Sequence, residues 1–291
     1  MSIPLPRSGH GPAIATMCAG VGLLVMSDMA AKDLVARFSP FHIMFARSAI
    51  ALPLVTLLIL SLDGPRSFRT RRPAVHFARA ALIMGATWTF FLSMRVMPLA
   101  EATALVLTAP FFVTALSVPI LKERVGAPRW IALAVGFAGA MVILQPGGGT
   151  VQWAALLPLA AAVCYALTMI SARFIDAADS PRTMMFYLTL FPFLMSSVTL
   201  LFDWPPVGPR DLMLFAVMAV VGTLGVTLIS QAFRMAPAAV VAPLDYTALV
   251  WAGIAGWLIW DEVPGAALLI GGGIVVAAGL FVIWREGRAA Q

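Results

Sequence analysis

The chain has 291 residues, 61% of them hydrophobic and 11% charged, with 19 Lys and Arg against 13 Asp and Glu and a formal net charge of +6. A soluble domain carries roughly a quarter charged residues, whereas long uncharged runs recur along this whole sequence, which excludes a soluble globular protein. The basic residues lie between the apolar runs and form no continuous patch, which excludes a nucleic-acid-binding surface.

A membrane-crossing helix needs about 20 mostly apolar residues, and ten such runs follow one another here. Residues 1–10 form a short polar tail with Arg7 and His10. Helix 1 is predicted at about 12–33 and helix 2 at about 40–62, after an SPF turn. The first run has no small-residue cleavage site after it and is expected to be retained as an anchor. A basic loop with Arg66, Arg69, Arg71 and Arg72 precedes helix 3, at about 74–96. Helix 4 is predicted at about 98–121 and helix 5 at about 128–145, followed by the uncharged linker QPGGGTVQ at 145–152. Helices 6 to 10 are predicted at about 152–174, 183–202, 210–234, 237–260 and 265–284, before a short polar tail. Cys18 and Cys164 both fall inside apolar runs and read as ordinary small apolar residues, with no metal-ligand spacing and no disulfide framework.

The ten runs are two copies of five. Residues 94–144 slide forward by 139 positions, without a gap, onto a second stretch. Arg95 then meets Arg234, Pro98 meets Pro237, Thr108 meets Thr247, Glu123 meets Glu262 and Gly126 meets Gly265. Upstream, a shift of 141 lays SPFHIMF (39–45) on SPRTMMF (180–186) and Lys32 on Arg173. The expected division is a tail at 1–10, a first repeat at 11–145, a linker at 146–151, a second repeat at 152–285 and a tail at 286–291.

Positive charge sets orientation, because cytoplasmic loops are enriched in Lys and Arg. With a cytoplasmic N-terminus, the inner segments hold Arg7, Arg66, Arg69, Arg71, Arg72, Arg79, Lys122, Arg124, Arg129, Arg173, Arg182, Arg234, Arg285 and Arg288. The outer segments hold only Lys32, Arg37, Arg95 and Arg210. Both termini are therefore expected to be cytoplasmic. A five-helix unit has an odd number of crossings, so the second copy is expected to enter the membrane inverted, as in many secondary transporters. The predicted fold class is an all-α integral membrane protein of ten transmembrane helices in two inverted five-helix repeats.

Interior prolines at Pro53, Pro110, Pro158, Pro192 and Pro243 are expected to kink their helices. Pro110 and Pro243, in the repeat-equivalent helices 4 and 9, would bow these around a central space, or be tolerated kinks with no role. Ala132, Gly136 and Ala140 on helix 5, with Gly273 and Ala277 on helix 10, permit close helix contact. Helices 5 and 10 carry almost no polar groups and are expected to be scaffold or the seam of a homodimer.

Ionisable residues inside a membrane are costly and mark function or a buried pair. Asp28 lies four residues before Lys32, so the two are expected either to pair along helix 1 or to leave Asp28 facing a cavity. Arg47 snorkels to the headgroups, forms a structural pair or, with Glu101, Pro110 and Pro243, serves gating. Glu101 sits in the first turn of helix 4, where an anion suits the helix dipole. Asp245, just past Pro243 and beside Tyr246, has no basic neighbour at helical spacing. It is either a working carboxylate of the pathway or a buried neutral acid. Trp88, Tyr165, Tyr246 and Trp251 either line a chamber for a ring or serve packing and interface anchoring. Thr108, Thr227 and Gln231 add polar points. No GxxxxGK[ST], HExxH or GxSxG motif is present, so the chain carries no sign of an ATP motor or hydrolase site.

The run KERVGAPRWIALAVGFAGAMVIL that closes helix 4 and forms helix 5, and Arg47 after SPFHIMFA, carry a resemblance. Together with the ten helices and two repeats, they make the chain similar to the EamA-type carriers of the drug/metabolite transporter superfamily. The resemblance implies a multi-pass carrier of the bacterial cytoplasmic membrane that moves small metabolites and needs neither cofactor nor metal. Its leading implication is export of amino acids, aromatic or otherwise hydrophobic, by alternating access. Its alternative is import of a vitamin or cofactor such as riboflavin or S-adenosylmethionine. A membrane-embedded enzyme is disfavoured by the scarcity of polar groups, and a channel by the lack of a repeated polar filter. The expected partners are a small-molecule substrate and the bilayer, with the chain a monomer or a homodimer through helices 5 and 10.

Overall fold

The computed structural model describes residues 11–62, 64–122, 125–144, 154–171, 174–175, 179–235 and 242–289. The predicted tail at 1–10, the linker at 146–151, and Glu123, Arg173 and Pro237 lie outside them. The described residues form helices and turns without a strand. In chain order the helices are α1 (Gly11–Val35), α2 (Pro40–Leu62), α3 (Pro73–Ser93), α4a (Leu99–Val106), α4b (Ala109–Leu121) and α5 (Ala127–Leu144). The second half has α6 (Leu156–Ser171), α7 (Pro181–Ser196), α8 (Pro209–Met235), α9 (Thr247–Trp260) and α10 (Ala266–Ala289). Short 3-10 turns cover Pro65–Phe68, Ser197–Leu201 and Ala242–Tyr246. Six spans have the length and apolarity to cross a membrane, and four shorter apolar helices complete the set of ten. The last helix runs past its predicted end at 284, through Ala289.

Local sequence chemistry explains where helices start and stop. Pro40, Pro73, Pro181 and Pro209 open α2, α3, α7 and α8, where a missing N–H costs nothing. Ser180 caps α7 by accepting the Thr183 N–H at 3.1 Å. At the far end of α4b, Lys122 turns into the left-handed region at φ 56°, and its N–H returns to the Ser117 carbonyl. Asp261 does the same after α9 at φ 55°, onto the Gly256 carbonyl. Both caps and both acceptors are 139 positions apart, so the repeat seen in sequence is a repeat of backbone geometry.

Helix pairing follows the same exchange. The most extensive contact, α1 with α8, has its counterpart in α3 with α6 when each helix is replaced by its repeat partner. Likewise α3 with α7 corresponds to α2 with α8. The contacts α5–α10 and α2–α7 each map onto themselves, and α4b with α6 corresponds to α9 with α1.

Glycine permits the tightest crossings. A side chain on Gly20 would sit 3.0 Å from the Gly225 carbonyl oxygen, and one on Gly225 would sit 2.9 Å from that of Gly20, so α1 and α8 touch backbone to backbone. Gly139 and Gly271 do the same between α5 and α10, at 2.8 and 2.5 Å. The small-residue stripe of helix 5 is buried as predicted, but Gly273 and Ala277 of helix 10 are exposed. The packing face of α10 runs instead through Gly271, Val275 and Ala278. The α5–α10 seam is thus spent inside one chain. Their outer faces, with Ile131, Val135, Leu269 and Ile270, form an apolar surface suited to lipid.

The main core lies toward one end of the bundle. Phe38, Leu34, Ile43, Phe91, Leu99, Phe215 and Met218 are all fully buried there. This is the end reached by the α1–α2, α3–α4a, α7–α8 and α9–α10 turns, called here the Lys32 end. The opposite, His76 end holds the α2–α3 and α6–α7 turns.

Candidate functional site

Helix 4 is interrupted where the sequence led us to expect a kink, and the described part of helix 9 opens on a 3-10 turn at the equivalent place. Pro110 cannot donate a hydrogen bond, and helix 4 stops at Val106 and restarts at Ala109. Thr108 stands at the break, buried, and its hydroxyl donates to the Leu105 carbonyl at 2.6 Å. Thr247 does the same to Leu244 at 2.6 Å, again 139 positions on. Asp245 therefore sits in a 3-10 turn at the mouth of α9 and not within a regular α-helix. α4a and α9 pack together, and the turn carrying Asp245 touches α1, α9 and α10. In place of the expected bowing the described residues show an interruption in helix 4 packed beside the 3-10 entry to α9, an arrangement by which membrane proteins place polar backbone beside a cavity.

Two polar groupings lie near this arrangement. Asp245 is half-buried, and its charge reaches the Tyr165 hydroxyl of α6 as well as that of Tyr246. Tyr165 itself is 41% exposed. Asp28 of α1 and Arg47 of α2, both half-buried, are near enough for their charges to interact. Each lies two turns, roughly 10 Å, in from the Lys32 end. Gly222 of α8 makes room for this pair: a side chain there would lie 3.0 Å from Ser27 Oγ and 3.2 Å from Arg47 Nη2.

The predicted pairing of Asp28 with Lys32 does not occur. Lys32 binds both carboxylate oxygens of Glu262, at 2.5 and 2.6 Å, and lies over the Trp260 ring at 4.8 Å. Asp28 lies within reach of the Arg47 charge, but no hydrogen bond or salt bridge joins the two, and Arg47 is half-buried rather than exposed. Glu101 does occupy the first turn of α4a and also feels the charges of Glu262 and Lys32. Tyr246 is buried against Gly279 of α10, in a cluster with Phe111, Val275 and Ala278, so it faces scaffold. Trp88 packs on Phe41 with centroids 6.1 Å apart. Trp251 is exposed but runs along α1, 3.8 Å from where a Gly22 side chain would begin. Thr227 is exposed and donates to the Thr223 carbonyl, and Gln231 is exposed on the same helix. Pro110 is exposed on α4b, and Pro243 falls in the turn before α9. Asp28 and Arg47, and likewise Asp245 and Tyr165, are thus within electrostatic reach without a direct bond, and Trp88, Thr227 and Gln231 belong to neither grouping.

Sequence reasoning missed two networks at the helix ends. At the Lys32 end, Glu262 also accepts the Leu99 N–H at 3.3 Å. Asp33 accepts from Arg210 at 2.8 Å and from Trp260 Nε1 at 3.3 Å. Arg37 holds both oxygens of Asp211 at 2.9 Å, and Arg95 donates to the Phe38 carbonyl at 2.7 Å. A cleft of about 630 Å³ opens there, lined by Lys32, Asp33, Arg95, Trp260, Glu262 and apolar side chains. At the His76 end, Asp179 accepts from the Thr70 hydroxyl at 2.7 Å and lies 2.9 Å from His76 Nε2. Burial pushes the Asp179 carboxyl up, but the hydrogen bonds from His76 and Thr70 outweigh it and hold it below its ordinary value. Tyr187 stacks on His76 and donates to the Phe68 carbonyl. Arg79, expected among loop residues, is buried between α3 and α6, donating to the Thr168 carbonyl at 2.6 Å. The signal for the first network was present in sequence: Lys32 and Glu262 each align with a residue of like charge, Arg173 and Glu123, in the other repeat.

Comparison with known proteins decides the family. The model of the EamA-like transporter family matches residues 12–145 and again 152–284. The chain belongs to that family. Among relatives of this EamA-like transporter, a riboflavin transporter of Vibrio cholerae serotype O1 is 32% identical over 246 residues, covering 84% of this chain and 82% of its own. An S-adenosylmethionine uptake transporter of Rickettsia bellii is 30% identical over 291 residues, covering 95% and 97%. A pseudopaline exporter of Pseudomonas aeruginosa is 29% identical over 282 residues, covering 96% of each. A solved crystal structure matches with a TM-score of 0.63 at 18% identity over 94% of this chain, which speaks to the fold alone. The EamA-like chain is therefore a multi-pass small-molecule transporter of the bacterial inner membrane, in the drug/metabolite transporter superfamily.

Proposed function

We propose that the chain is a secondary transporter of small amphipathic metabolites, working by alternating access between two five-helix halves, residues 11–145 and 152–285, inverted in the membrane. The observation that carries this is the interruption of helix 4 beside the repeat-equivalent 3-10 entry to α9, next to Asp245 with Tyr165 and near Asp28 with Arg47. A half-buried carboxylate beside an interrupted helix offers a proton site or an anchor for an ammonium group. Orientation rests on the fourteen inner against four outer basic residues. Reporter fusions after Gln291 and near Arg69 are expected to read cytoplasmic, with the Lys32 end periplasmic. A periplasmic C-terminus would overturn the inverted arrangement.

Two substrate readings stand. Uptake of a cofactor-like solute is favoured by the named functions of the Vibrio and Rickettsia relatives. Export of an amino acid is favoured by the exporter among the relatives and by the accessible aromatic Tyr165. Both require Asp245. In proteoliposomes, Asp245→Asn is expected to fold normally and to lower flux at least about tenfold, a loss of the size that follows removal of a charged hydrogen-bonding group. A proton site would lose gradient-driven flux and keep exchange, whereas an ammonium anchor would lose both. Wild-type flux across pH 6 to 8 would remove Asp245 from the mechanism.

A further inference from the structure

We propose that the cleft at the Lys32 end is a binding vestibule for the carboxylate of an amphipathic solute, with Arg95 as its anchor. Of the four charged residues that line the cleft, three are already matched. Lys32 and Glu262 hold each other, and Asp33 is held by Arg210 and Trp260. Arg95 is the only lining charge without an ionic partner among the described residues. Its one hydrogen bond goes to the Phe38 carbonyl. A guanidinium has five donors, so most of those on Arg95 remain for an anion. Its side chain is exposed, and the planar fork suits a carboxylate held by two parallel bonds.

The rest of the wall selects the body of the ligand. Exposed Ala36 and Val96 and half-buried Pro98 give the cleft an apolar rim over buried Val35, Met94 and Met97, and half-buried Trp260 adds an aromatic ring. About 630 Å³ is within the range of pockets that take small organic molecules. A carboxylate on a flat apolar body fits this surface; a neutral ring leaves Arg95 unused, and a cation meets its charge. This deepens the transporter reading, on which it rests for its role as a point of entry or exit. A carboxylate is present in amino acids and absent from riboflavin, and S-adenosylmethionine has one but carries net positive charge, so the vestibule favours the amino-acid class. An anionic lipid headgroup presents similar chemistry, and the test separates the two.

The probe is radiolabelled indole-3-acetate, with indole-3-acetamide as its uncharged isostere, on purified protein in phosphatidylcholine nanodiscs. The acid is expected to bind at least about tenfold tighter than the amide, and Arg95→Gln to remove that preference while leaving amide binding unchanged. Arg95→Lys should restore part of it. The site is located with Val96→Cys, an exposed position on the cleft wall. Labelling there by a charged maleimide should be slowed by the acid and not by the amide. Equal binding of acid and amide, an unaltered preference in a folded Arg95→Gln variant, or unprotected labelling would each overturn the vestibule. If phosphatidylglycerol abolishes acid binding through Arg95, the site belongs to a lipid headgroup and the soluble-ligand assignment fails. None of these readouts requires flux, so a failed transport assay and a failed vestibule remain distinguishable.

Discussion

At the Lys32 end, three ion pairs join the turns among the described residues; Lys32 is enclosed, but the cations of the other two stay largely in solvent. The Arg37 side chain is 53% exposed and that of Arg210 is 77% exposed, although their carboxylate partners are more enclosed. At the His76 end, the α2–α3 and α6–α7 turns meet through His76 and Asp179, whose side chains are 0% and 4% exposed. A hydroxyl from Thr70 and the stacked rings of His76, Tyr187 and Phe191 complete that contact. The helices concerned are repeat counterparts, since α1–α2 corresponds to α6–α7 and α7–α8 to α2–α3. The same architectural joint is thus made in two ways. Exposed pairs contribute about 0–1 kcal/mol each and exchange readily with water or solute. A buried pair that loses one partner costs about 3–5 kcal/mol, because the survivor is left unsolvated. The Lys32 end is built to be rearranged and the His76 end to be held.

The strongest way to break this contrast is Asp179→Ala, which strands a buried His76 ring and the Thr70 hydroxyl. Unfolding in detergent, followed by size-exclusion fluorescence after heating, is expected to show a loss of about 3–5 kcal/mol. A loss no greater than that of a surface pair would erase the distinction between the ends. Lys32–Glu262 is intermediate, with side chains 8% and 24% exposed. Lys32→Gln and Glu262→Gln are each expected to cost about 1–3 kcal/mol, and the double variant less than their sum, since each removes the other's partner. Strict additivity in the thermal cycle would show that the two side chains act separately. Arg210→Ala should cost no more than about 1 kcal/mol by the same assay.

The smallest effect is with pH. The Asp179 carboxyl is held below its ordinary value in the folded protein. Its stabilisation is present in full above the unfolded carboxylate pKa, about 3.9, and is lost as pH falls through the lower folded value. The stability gap between wild type and Asp179→Ala should therefore be constant near neutrality and narrow below about pH 4. A gap that widens on acidification would reverse the sign of this linkage.

Much of the fold was legible because it rests on periodicity within single helices. Apolar runs marked the helices, and the shift of 139 carried over even to the left-handed caps at Lys122 and Asp261. Pro110 marked where helix 4 would yield, though not that it would be interrupted, and Pro243 falls in the 3-10 turn that opens α9. The site was less legible, because partners across helices depend on how each helix is rotated about its axis. Spacing of four offered Lys32 to Asp28, but packing turned Lys32 toward Glu262, 230 residues away, and left Asp28 within reach of the Arg47 charge. Tyr246 looked like a chamber wall because it adjoins Asp245, yet successive residues in a turn point in different directions. His76 and Asp179 went unremarked since each sits at a helix boundary, where sequence shows only polarity.

The crossing of α5 and α10 carries a mechanical consequence. At Gly139 and Gly271 each backbone carbonyl occupies the space where the other residue would have a side chain. The approach is close enough that Ile143 and Ile274 interleave beside the two glycines along an extensive helix seam. A side chain on either glycine would meet the opposing carbonyl oxygen at 2.8 or 2.5 Å and drive the helices apart. The seam that ties the first half to the second therefore has no room at these two positions, and an alanine at either is expected to loosen it.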